Sequence, residues 1–205
     1  IAFTLMIAGY FLWPACQHPD ANTLVEPAPG DTVSTLNCED TIEINLAGAM
    51  KHGYLKGIKT CRNWEASGYA QNPSNTPNHL FISGRTYFPY ILTNGDTILF
   101  YAEGLDFAIP KKIGKFPLIT TPGINSDTVK CWYSYLDEDI SIADWFVDLS
   151  FLDNELEITE LDLINQRVKG RFNIHLTIDT SRPDYKDYPS KLYFYEGEFD
   201  VEIVE

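Results

Sequence analysis

From Val168 onward the apolar positions fall on every second residue. Val168, Phe172, Ile174, Leu176 and Ile178 share one register with Gly170, and Lys169, Arg171, Asn173, His175 and Thr177 stand between them. Side chains alternate across an extended chain, so the stretch predicts a strand with one face in a core and the other towards water. The chain end repeats the pattern, Phe199, Val201 and Ile203 against Asp200 and Glu202. Two such strands are marginal alone and require a larger sheet.

The same reading upstream gives shorter elements. Thr41–Leu46 and Asn63–Ala70 alternate and predict strands, as do His79–Phe88, Val129–Leu136 and Leu156–Leu161. Asn94-Gly95-Asp96 is a turn signal leading into an apolar strand over Thr97–Ala102, and Gly114–Ile119 is an edge-like piece containing Pro117. Ala47–Thr60 holds three glycines and is compatible with a frayed helix or a hairpin. Asp137–Leu152 fits either a short helical turn or a wide loop. Many short strands with turns every 8–12 residues or so point to an all-β fold, read as a single antiparallel β-sandwich over residues 36–205.

The N-terminal part has a different texture. Ile1–Ala15 is uncharged and mostly apolar, too short for a bilayer span of about 20 residues and suited to the apolar core of a signal peptide. The chain opens on Ile with no Lys or Arg ahead, so residues 1–15 are read as a signal peptide without its basic end. Ala15-Cys16 resembles a bacterial lipobox, although Trp13 and Pro14 stand where Leu and a small residue are usual. The expectation is an acylated Cys16 as membrane anchor, with residues 16–35, rich in proline and without periodicity, as a flexible tether. The competing reading is a buried first strand with an ordinary cysteine.

Composition narrows the partners. The chain has 29 acidic and 15 basic side chains, a formal charge of −14, which argues against nucleic acid because binding phosphates takes a basic face. Hydrophobic residues at 44% suffice for a core, and 14% aromatics suit strands.

Candidate chemistry is sparse. Of four cysteines, Cys38 and Cys61 could close a loop near the tether and Cys131 sits within a strand; no spacing suggests structural zinc. His18, His52, His79 and His175 have no partner at a telling spacing, and no phosphate-cradling glycine loop occurs. Asp137-Glu138-Asp139 is the best cation candidate among the carboxylates, and a solvated acidic loop explains it as well. Ser181–Ser190 is long for a hairpin connection and offers Tyr185 and Tyr188 as rings that could stack on a sugar or a partner. The plain alternative is that these rings fold back on the sheet.

Three segments carry a family resemblance: Ile158-Thr159-Glu160-Leu161-Asp162, then Val168-Lys169-Gly170-Arg171-Phe172, then Gly197-Glu198-Phe199-Asp200-Val201. Together with Trp64-Glu65-Ala66, Leu80–Gly84 and the lipoprotein-like leader, they resemble uncharacterised lipoproteins of Bacteroidetes. The resemblance covers about two thirds of the chain and implies an outer-membrane lipoprotein, periplasmic or surface-exposed. The matching residues are packing and turn residues, so it implies a fold and an address rather than a reaction. The expectation is a non-catalytic binding or interaction module without cofactor, its partner a glycan or an envelope protein. A carboxylate-dependent glycan hydrolase and a purely structural lipoprotein are the alternatives.

Overall fold

The computed structural model describes residues 52–120, 128–137, 140–181 and 185–204. The expected strand at 41–46, the tether, Cys16 and Cys38 lie outside them. Ten strands occur among the described residues: β1 Gly53–Lys59, β2 Arg62–Gln71, β3 His79–Ile91, β4 Thr97–Pro110, β5 Gly114–Ile119, β6 Val129–Asp137, β7 Ile140–Val147, β8 Glu155–Asp162, β9 Arg167–Ile178 and β10 Lys191–Val204. One turn of 3-10 helix, Tyr185–Asp187, interrupts the β9–β10 connection.

The all-β expectation holds; among the described residues the strands form one sheet rather than the two facing sheets of a sandwich. All ten strands belong to one hydrogen-bonded sheet. Its antiparallel ladder runs β1–β2–β3–β4–β6–β7–β9–β10 and returns from β10 to β1, so the pairing closes on itself. β5 and β8 bridge β6 to β9 where β7 does not reach. Closure removes the free edges that a sandwich leaves. The sequence could not distinguish the two, because both demand the same inward–outward alternation.

The inward set is apolar and filled. Leu55, Ala66, Leu80, Ile82, Leu105, Phe107, Ile109, Val129, Cys131, Leu156, Ile158, Val168, Ile174 and Leu176 are completely buried. Outside, charges pair across β8, β9, β10 and β1, as in Lys169–Glu160 at 2.8 Å, Arg167–Asp200 at 2.5 Å and Lys56–Glu198 at 2.8 Å. A membrane-spanning barrel has the reverse distribution.

The Gly-and-Phe pattern of the last two strands is a packing device. Phe199 lies opposite Gly170 across the β9–β10 ladder, and Phe172 opposite Gly197. A Cβ on Gly170 would meet the Phe199 ring at 2.3 Å, and one on Gly197 the Phe172 ring at 2.3 Å. Each glycine vacates the volume that the facing ring fills. Both rings then reach Phe107 on the far wall, at 5.2 Å from Phe172 and 6.5 Å from Phe199.

Of the two readings open for Ala47–Thr60, the described part is a hairpin: Gly53 onward is its first strand, turning at Thr60 with φ of 59°. Two regions differ from the sequence expectation. The segment 140–147 is a strand whose Ala143, Trp145 and Val147 face inward. Its exposed Ile140 (70%) and half-buried Ile142 put apolar residues on the outer side and mask the alternation. His175 faces outward as expected, yet the 148–154 connection folds over it and leaves it 5% exposed. Its ring stacks on Phe151 at 4.0 Å, and its Nε2 is 3.2 Å from Asp153 Oδ2.

Candidate functional site

One end of the closed sheet collects the features that sequence reasoning singled out. The β1–β2 turn, the β3–β4 hairpin, the β6–β7 connection and the β9–β10 connection all lie there, as the pairings Lys59↔Arg62, Glu103↔Tyr135, Asp137↔Ile140 and Lys191↔Thr177 require. Tyr185 and Tyr188 are half-buried and pack against the core. The Tyr188 ring is 5.9 Å from that of Tyr135 and 6.1 Å from that of Trp145, whose Nε1 donates to Pro189 O at 2.9 Å. The connection therefore leans on the mouth of the sheet, and each ring keeps only part of its surface for a ligand. Glu138, Asp139 and the Asp137 side chain lie outside the described residues. Among the described residues no three His, Cys, Asp or Glu side chains converge in a way that could hold a metal ion. Cys61, in the β1–β2 turn, is disulfide-bonded; its partner lies outside the described residues. Cys131 is free and buried, and burial, then the charge of Asp106, pushes its thiol well up.

Beneath the mouth the inward-facing residues form a polar plug that the sequence did not reveal. Glu103 Oε1 accepts from Lys59 Nζ, and Glu103 Oε2 accepts from Trp64 Nε1 at 2.6 Å and Thr86 Oγ1 at 3.4 Å. Lys59 also donates to Tyr133 Oη at 3.2 Å. Burial, reinforced by Glu103, lifts the Tyr133 phenol well above its usual range. Five members from β1, β2, β3, β4 and β6 are thus tied into one network. Their separation along the chain, 44 residues between Lys59 and Glu103, hides it from any local pattern. Both Glu103 oxygens are engaged within the network. A partly buried pair is costly to break, because the survivor keeps its desolvation penalty. Lys59→Met is expected to lower stability by about 3–5 kcal/mol. The double replacement Lys59→Met with Glu103→Gln should recover much of it. Urea denaturation of the three variants reads both values, and a single variant as stable as the parent would contradict the network.

The largest cluster of exposed apolar side chains among the described residues, Tyr90, Ile91, Ile98, Leu99 and Tyr101, is on the outer half of the β3–β4 hairpin. β2 pairs with β3 only at Phe81–Arg85, and β6 with β4 only at Glu103–Ala108. Beyond a bulge at Thr86/Tyr87, residues 87–91 and 97–101 pair only with each other among the described residues. The arm is built to stay ordered. Rings pair across it, Tyr87 with Tyr101 at 5.2 Å and Phe88 with Phe100 at 5.8 Å. Its tip is the expected turn, with Gly95 at φ 88° and Asp96 N–H donating to Asn94 Oδ1 at 3.0 Å. Tyr90 and Ile98 project from one face, Ile91 and Leu99 from the other, and Ile91 is 72% exposed.

Comparison with family models, with curated proteins and with solved structures finds no match.

Proposed function

We propose that the protein is a non-catalytic binding module of the cell envelope, held at a membrane through an acylated Cys16, whose arm grips another protein. The observation that carries this reading is the arm itself: apolar on both faces and, among the described residues, unpaired along both backbone edges. An unpaired edge is satisfied by a strand from another chain, and the flanking apolar side chains supply the pockets that make such pairing specific. Insertion into lipid suits it less, because Asp96 at the tip would enter hydrocarbon.

A hydrolase would need a carboxyl poised to give up a proton. In the shallow cleft of about 170 Å³ over β9 and β10, the carboxylates present are Glu198 and Asp200. Asp200 is paired with Arg167, and the hydrogen bond from Lys56 holds the Glu198 carboxyl below its usual range. That is the state of a structural ion pair, and at this cleft it supports binding over hydrolysis.

Two experiments test the reading. Ile91→Ser with Leu99→Ser should melt close to the parent, since Ile91 is largely and Leu99 nearly half exposed on an arm outside the core, and should lose an envelope protein that co-purifies with the parent. Unchanged retention would overturn the role of the arm. Cys16→Ala should leave the membrane fraction and take up no labelled fatty acid; a wild-type chain that is soluble and unlabelled would overturn the anchor.

A further inference from the structure

The outer face of β2, β3, β4 and β6 carries a cleft of about 290 Å³, separate from the arm. The ladder sets two adjacent rows there, Ser67–Arg85–Gly104–Ser134 and Tyr69–Ser83–Asp106–Trp132. A carboxylate on an outward face would ordinarily be solvated, yet Asp106 is only 6% exposed and Ser83 8%. Asp106 Oδ1 accepts from Ser83 Oγ at 2.7 Å and from Arg85 Nη1 at 2.8 Å. Arg85 lies across Gly104, where a Cβ would stand 2.8 Å from Nη1, and Nη1 also donates to Gly84 O at 3.1 Å.

Both charged groups keep unused capacity. Asp106 Oδ2, Arg85 Nε and Arg85 Nη2 have no hydrogen bond to another described residue, and none is sealed away from the cleft. The cleft thus offers an acceptor and two donors fixed by their own ion pair, with the Gln71 amide at its rim and Tyr69 and Trp132 as walls. Lys130 sits over the Trp132 ring at 5.4 Å and fixes one side of it.

We infer that this cleft is a binding site for a single neutral pyranose ring. A free carboxylate would face Asp106, and an amine would face Arg85; a neutral polyol opposes neither. Neighbouring hydroxyls both give and accept, so they can donate to Asp106 Oδ2 and accept from the Arg85 fork together, each hydrogen bond charge-assisted by the protein group. The apolar C–H face of the ring then rests on an aromatic wall. The volume lies at the lower limit of small-molecule sites, which suits one ring rather than an oligomer.

The test uses methyl glycosides of glucose, galactose, mannose and N-acetylglucosamine, titrated against the ¹⁵N-labelled full chain. At least one should shift the Arg85 Nε–H and Trp132 Nε1–H resonances saturably, with Kd in the roughly millimolar range. Arg85→Lys keeps the charge but loses the fork, and should weaken binding at least about tenfold. Gln71 is exposed, so Gln71→Ala should weaken it a few-fold with the melting transition unchanged, which covers the case of Arg85→Lys failing to fold. No saturable shift with any glycoside would overturn the inference. So would saturable binding that Gln71→Ala and a folded Arg85→Lys leave intact.

Discussion

A chain ended at Glu198 is expected to lose its cooperative unfolding transition. Phe199, Val201 and Ile203 are 2%, 1% and 4% exposed, and all three face the interior. Burial of side chains of this size contributes about 1.5–3 kcal/mol each, or roughly 5–9 kcal/mol for the three. That is comparable with the whole stability of an ordinary domain, about 5–15 kcal/mol. The loss is also topological. β10 pairs with both β9 and β1 and so closes the circuit. The cut spares Lys191–Glu198 but removes the half that sets Phe199 and Val201 opposite Gly170 and Val168 on one side and Leu55 and Gly53 on the other, which opens the sheet there. Circular dichroism during thermal or urea denaturation reads the outcome. A truncated chain that melts cooperatively at the parent midpoint would contradict the closed sheet.

Gly170→Ala should produce the largest loss for the smallest chemical change, more than about 3 kcal/mol. Its new methyl would lie 2.2 Å from Glu157 O and 2.3 Å from the Phe199 ring. The ring could move; the carbonyl could not, because β8 and β9 are laddered on both sides of that point. Adding Phe199→Leu should therefore relieve only part of the penalty. Full rescue would show that the ring alone sets the need for glycine, and an unaffected single variant would show that β8 and β9 lie further apart than described.

How much was legible follows from where each signal lies. The alternation around Gly170 and Phe199 was plain, because every outward position there is polar. The reciprocal fit of glycine and ring was not, since it depends on register between strands nearly thirty residues apart. β7 was obscured because Ile140 is apolar on the outer side. The inner half of β4, Gly104–Pro110, was hidden for a different reason: Asp106 is buried on the outer face and Leu105, Phe107 and Ile109 on the inner, so no solvated side marks it. The Tyr185–Tyr188 connection stands out in the sequence as a long loop, and the structure sets those rings against the core. The Lys59–Glu103 plug and the Arg85–Asp106 cleft left no local trace. Each assembles residues that become neighbours only when the ladder forms.

The claim that the arm contacts another protein is tested most directly by photo-cross-linking in living cells, with a photoreactive side chain placed at Ile91, Leu99 or Ile164. Ile164 is 93% exposed but lies in the β8–β9 turn at the opposite end of the sheet. The expected result is a discrete adduct from Ile91 and from Leu99, containing the same second polypeptide in both cases, and none from Ile164. No adduct at the arm, or adducts composed only of this chain, would contradict it.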